Sequence, residues 1–171
     1  MGIQSQGAGI APVFMNIPGR GTMRKTFKTL LLAMPLVMAA MSASAADSAV
    51  GRWKTIDDKT GETKSIVEIT KAANGSLSGK VLEVLKSDKG PNPVCSDCKG
   101  PNKGKPIKGM TILWNLSQNS GSTTEWSGGT ILDPANGKTY KSKLELHPGG
   151  KKLDVSGCIA IICRAQTWVR E

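Results

Sequence analysis

Histidine and aromatic side chains are scarce in this chain. Its 171 residues hold one histidine, one tyrosine and two phenylalanines, and both phenylalanines, Phe14 and Phe27, lie in the first 45 positions. One histidine excludes a two-histidine metalloprotease helix, and no Ser-His-Asp set or Walker loop stands elsewhere. His147 itself falls on the water-facing side of its segment beside a turn, a poor place for a general base. Long apolar runs are also missing: the longest, 29–41, has 13 residues, too few to span a bilayer as a helix. No stretch carries a helical stripe. These gaps argue against an enzyme, and no cofactor or metal is expected.

The short apolar run has a different meaning. Arg24, Lys25 and Lys28 precede it, and Ala43, Ser44 and Ala45 follow it as small residues suited to cleavage. That is the layout of an export signal cut after Ala45. Met23 would begin a well-formed signal, so residues 1–22 read as an upstream extension. Residues 1–45 are therefore assigned to extension and signal, and 46–171 to one folded domain, periplasmic or secreted. Arg20, Arg24, Lys25 and Lys28 lie before the cut, leaving 19 cations against 13 acids in the domain, a net +6. Lysines spread over turns and strand faces are ordinary solvated surface.

What the domain does contain is alternation. In 139–146 Tyr140, Ser142, Leu144 and Leu146 share one side, while Lys141, Lys143 and Glu145 share the other, the pattern of a half-buried strand. Before it, Asp133-Pro134-Ala135-Asn136-Gly137 supplies turn chemistry, with Asp133 accepting backbone N–H groups and Asn136-Gly137 accommodating left-handed backbone. Further short β-type runs at 50–56, 64–70, 77–85, 107–116, 125–132, 152–157 and 163–170 are separated by turns and by one long polar loop, 86–105. The whole predicts an all-β fold, a single small antiparallel barrel built as a meander of about eight strands. A two-sheet sandwich is the alternative. Gly79, Gly128, Gly129 and Gly157, inside strand patterns, suit bulges or bends.

Four tryptophans, Trp53, Trp114, Trp126 and Trp168, carry most of the aromatic content. If first and last strands pair, the Arg170 guanidinium can lie on the Trp53 ring, an attraction worth roughly 0.5–2 kcal/mol. Tyr140 and Ser142 lie on the core side of their strand, and Arg164, Gln166, Trp168 and Arg170 share one side of theirs. A buried Arg164 or Gln166 would need a partner. Tyr140, Ser142, Arg164, Gln166 and the four tryptophans form the candidate lining of a cavity for a small amphipathic or anionic ligand, while Arg170 has a structural part. Glu68 and Glu83 are considered as paired carboxylates across neighbouring strands.

Cys95, Cys98, Cys158 and Cys163 are an even set in an exported chain, so disulfides are expected, with three connectivities open. Local pairs, each worth about 2 kcal/mol by loop entropy, are favoured over crossed ones, worth about 4. A four-thiolate zinc site matches the spacings loosely. A redox centre lacks the helix that would acidify Cys95, because 99–106 is Lys-Gly-Pro-Asn-Lys-Gly-Lys-Pro.

Together, Gly51-Arg52-Trp53, the Cys95–Cys98 loop with 106–110, the 126–140 hairpin and 164–170 resemble the exported bacterial family called domain of unknown function 2147, across nearly all of 50–170. That family is similar to lipocalins in fold. The resemblance gives Gly51 and Trp53 the place of the lipocalin G-x-W and Arg170 that of the late arginine covering the tryptophan. It implies a fold and no activity. Cys158 and Cys163 stand outside it, as an accessory staple. Three roles are weighed: a ligand-binding barrel, an envelope interaction module using the rim and the lysine loop 99–108, and, third, a thiol redox or hydrolytic enzyme. Nucleic acid is not an expected partner, since no aromatic is interleaved with those lysines.

Overall fold

The computed structural model describes residues 48–171. The expected extension, signal and cleavage point at 1–45 lie outside the described residues. Eight strands run in sequence order: β1 (Gly51–Ile56), β2 (Thr63–Lys71), β3 (Leu77–Val84), β4 (Thr111–Gln118), β5 (Glu125–Asp133), β6 (Lys138–Leu146), β7 (Lys152–Ile159) and β8 (Ile162–Arg170). Each pairs antiparallel with the next, and β8 returns to β1 through Trp53 opposite Arg170 and Thr55 opposite Trp168. The sheet is a closed eight-stranded barrel. Closure leaves no sheet edge unpaired, so the sandwich alternative, which keeps edges, does not occur.

The alternation expected of β6 is present, with Ser142, Leu144 and Leu146 buried and their neighbours exposed. Trp53, Ile69, Leu77, Leu116, Leu144 and Leu153 are among the largest wholly buried side chains. Strand 107–116 begins later than expected, at Thr111: Met110 N–H bonds the Ile107 carbonyl (3.0 Å), and Gly109 N–H bonds the Val81 carbonyl (2.7 Å), so 107–110 is a turn hung on β3.

Glycine inside the strands has two uses. Gly128 has φ +76° and coincides with a register shift between Trp126 and Gly129, a bulge as expected. Gly129 makes room instead. A Cβ there would stand 2.5 Å from Leu116 Cγ and 2.7 Å from the Trp114 carbonyl oxygen. Gly79 does both: the β3–β4 register shifts on either side of it, as expected, and a Cβ there would meet Leu113 at 3.1 Å. At these two interior positions the barrel has no space for a methyl group.

The register also disposes of the carboxylate pair. Glu68 stands opposite Arg52 and Lys80, with the Arg52 Nε at 3.7 Å, while Glu83 stands opposite Ile66. The two acids do not face one another.

Candidate functional site

The two ends of the barrel are built differently. At the end where the chain enters, the Trp53 indole N–H donates to the Ala49 carbonyl at 2.8 Å, both residues being wholly buried. The Arg170 guanidinium lies over the Trp53 ring, 4.2 Å from its centroid. Its N–H groups reach three carbonyls: Gly150 (2.6 Å), Val50 (3.1 Å) and Ser48 (2.7 Å). Burial pushes this guanidinium below its usual pKa, yet a guanidinium stays charged at any physiological pH. Gly51, at φ +134°, has to be glycine, since a Cβ would stand 2.7 Å from Arg170 Nη1. One cation thus gathers the N-terminal segment, the β6–β7 turn and the first strand into a plug. On the outer face near this end the Asp154 carboxyl is held below its ordinary pKa, first by the Thr167 hydroxyl at 2.6 Å and then by His147, whose Nε2 lies 2.9 Å away.

The opposite end carries the β1–β2, β3–β4, β5–β6 and β7–β8 connections. Both cysteine pairs are disulfides, Cys95–Cys98 and Cys158–Cys163, the local pairing, and no free cysteine remains among the described residues. The four-thiolate zinc site is therefore not formed. The long loop folds back on itself, with Cys95 N–H on the Lys105 carbonyl and Gly104 N–H on the Cys95 carbonyl, both 2.9 Å. It also seals against the β5–β6 turn. Cys95 Sγ is 3.4 Å from the Pro134 carbonyl, and Gly137 packs so closely on the Asp97–Cys98 backbone that no side chain fits there. In that turn Asp133 Oδ1 accepts from Ala135 N–H (2.9 Å), Oδ2 accepts from the Asn136 amide (2.8 Å), and Asn136 Oδ1 accepts from Lys138 N–H (2.9 Å).

Several candidate lining residues do enter the barrel. Trp53, Trp126, Trp168 and Ser142 are buried and Tyr140 is half-buried. Trp168 Nε1–H donates to the Gln166 side-chain oxygen at 2.9 Å, and the Gln166 amide donates to the Ile56 carbonyl at 2.7 Å. The Thr55 and Ser65 hydroxyls bond each other at 2.8 Å. Gln166 therefore has its partners within the protein. Arg164 keeps the side of its strand but lies beyond the rim, 77% exposed, with Asp58 at 3.1 Å. A buried, partnerless arginine does not occur here. Trp114 faces outward, because its neighbour Leu113 is the residue that packs inside against Gly79. Of the interior polar groups only the Ser142 hydroxyl, 1% exposed, lacks a partner among the described residues.

The outward Trp114 finds a use that its sequence position does not reveal. It forms one wall of an open groove of about 470 Å³ with Asn102, Lys105, Pro106, Lys108 and Met110. Neither lysine is ion-paired among the described residues. Asn102 and Met110 carried no signal in the sequence, since only the folding of the long loop onto β4 brings them beside Trp114.

A closed up-and-down barrel of eight strands, with a glycine and tryptophan opening β1 and an arginine from β8 stacked on that tryptophan, is lipocalin-like. The chain belongs to the family described as uncharacterized protein conserved in bacteria (DUF2147), whose model matches residues 51–170. Among solved structures it is similar to protein HP1028 from the human pathogen Helicobacter pylori, described as belonging to the lipocalin family. The two share 19% identity at a TM-score of 0.61, over 72% of this chain and 83% of that one. No curated protein matches the chain.

Proposed function

We propose that the protein is an exported, non-enzymatic binder of an anionic amphiphile, and that the ligand lies in the groove between the lysine loop and β4. The observation that carries this reading is the groove itself. Trp114, Met110 and Pro106 offer apolar surface, while Lys105 and Lys108 offer cations with no carboxylate in the lining. An apolar wall with a few convergent polar groups is the usual make-up of a small-molecule site. The interior is less accommodating, because Gly79 and Gly129 are already filled by Leu113 and Leu116. Export is supported by the signal-like segment before residue 46 and by two disulfides, which persist in oxidising compartments.

Dodecanoate, with dodecanol as its uncharged counterpart, tests the proposal through tryptophan fluorescence. Saturable quenching by dodecanoate, weak with dodecanol, is expected. It should fall about tenfold in Lys108→Glu and vanish in Trp114→Phe. Binding that survives both substitutions would sink the groove reading. A second reading rests on the unpartnered Ser142 hydroxyl, which a ligand inside the barrel could satisfy; binding lost in Ser142→Ala and kept in Lys108→Glu would favour it.

A further inference from the structure

The β7–β8 hairpin ends in a tip whose composition suits no ordinary turn. Ile159 stands opposite Ile162, and Ala160 and Ile161 make the turn between them. Such two-residue turns normally hold glycine, asparagine or aspartate, because they need left-handed backbone. Here Ala160 sits at φ +52°, a conformation costly to a residue with a Cβ. Behind the turn, Cys158 and Cys163 face each other across the two strands and are joined, their Cα atoms 4.0 Å apart. The staple holds the hairpin closed in place of turn residues, and the tip is free to be apolar. It is also bare: Ile159, Ile161 and Ile162 are 68%, 96% and 76% exposed. Scattered exposed apolar residues need no explanation, but three isoleucines on one projecting, covalently closed tip form a patch of the kind that marks a contact surface.

Charge and shape say which surface. At this end Asp57, Asp58, Glu62 and Asp97 are each matched by a cation, namely Lys64, Arg164, Lys86 and Lys89. Lys59, Lys138 and Lys141 have no ion-pair partner among the described residues, and the same holds for the lysines of the loop 99–108. Lys141 is the closest of these to the tip in register, opposite Cys158 on the neighbouring strand. Glu83, Asp88 and Asp133 are the acids left unmatched by cations, so the surplus at this end is positive. A convex apolar wedge set in a cationic rim complements an anionic lipid surface, which takes a projecting apolar group without demanding a shaped pocket and attracts lysines to its headgroups.

We infer that the protein docks on anionic membrane surfaces through the Ile159–Ile162 tip, with Lys141 and its neighbouring lysines on the headgroups. The test is sedimentation of the protein, as the cell processes it, with vesicles of phosphatidylglycerol and phosphatidylethanolamine, and separately with phosphatidylcholine. Binding to the anionic vesicles is expected to weaken with added salt and to fall at least about tenfold in Ile161→Asp, which removes the apolar side chain that enters the bilayer and adds a repelled charge. Ile161 is almost wholly exposed, so an unchanged unfolding midpoint in the variant shows that the fold is intact. Lys141→Glu should lower binding several-fold with the tip untouched. Equal binding of wild type and Ile161→Asp, equal binding to both kinds of vesicle, or no binding at all overturns the inference. So does a lipid-free dimer that Ile161→Asp dissolves, since the tip would then belong to a second copy. Loss of dodecanoate quenching without loss of vesicle binding separates a failure of the groove reading from a failure of this one.

Discussion

The plugged end and the loop end of the barrel handle polar groups in opposite ways. At the plugged end the donors of the plug itself are used internally: the indole N–H of Trp53 and the N–H groups of Arg170 all terminate on carbonyls of 48–50 and 150. At the loop end lysines stand unpaired, isoleucines stand bare, and two disulfides staple the long loop and the β7–β8 hairpin. The difference teaches where stability and recognition reside. One end closes the barrel; the other keeps chemistry available.

Five experiments bear on that contrast. Trp53→Ala should cost the most, about 3–5 kcal/mol, since it empties a wholly buried site and strands the cation above it; chemical denaturation reads the loss. Arg170→Met should cost about 2–3 kcal/mol, because the carbonyls it satisfies are released together with the ring contact. If either cost were under about 1 kcal/mol, the plug would not be the stabilising end. Replacing Cys158 and Cys163 together by serine should cost about 2 kcal/mol, while the Trp53 near-ultraviolet signal stays as it was. Ser142→Ala should be neutral or stabilising by up to about 1 kcal/mol, since it deletes a buried hydroxyl without a partner; a clear destabilisation would mean that the hydroxyl has a partner after all.

The smallest effect is in acid. Thr167 and His147 lower Asp154, the Thr60 and Lys59 backbone N–H groups lower Asp57, and Lys86 lowers Glu62. Carboxyls lowered in the folded state add stability above their unfolded pKa, and that stability is lost as pH falls through the folded value. The thermal midpoint should therefore be level above about pH 5 and decline below about pH 4. Asp154→Asn should flatten part of this decline by acting near the plug, and Asp57→Asn by acting on the loop end.

Much of the plug was legible in the sequence. Gly51, Trp53 and Arg170 point to it once the first and last strands are paired, and the family resemblance puts them in the same places. The β5–β6 turn was equally plain, since Asp133, Asn136 and Gly137 act locally. The rest of the loop end, its two local disulfides apart, was not. Arg164 kept its expected side of β8, but alternation does not tell where a barrel stops, and Arg164 lies past the rim. Trp114 faces outward beside Asn115, which has φ +60°, and no period marks such an irregularity. The groove arises from a twenty-residue polar loop folding onto β4, a tertiary event with no local signature. The isoleucine tip did have a signal: apolar residues stand between two cysteines where turn chemistry is normally polar.

Arg170 has one more consequence. The seam it closes joins positions as distant as Ser48, 122 residues away, so the contacts that complete the barrel come from strands made first and last. Until β8 emerges, a growing chain has two bare sheet edges and no plug, and nothing shorter than the full meander can shut. Closure of the barrel thereby waits on β8, the last strand of the meander.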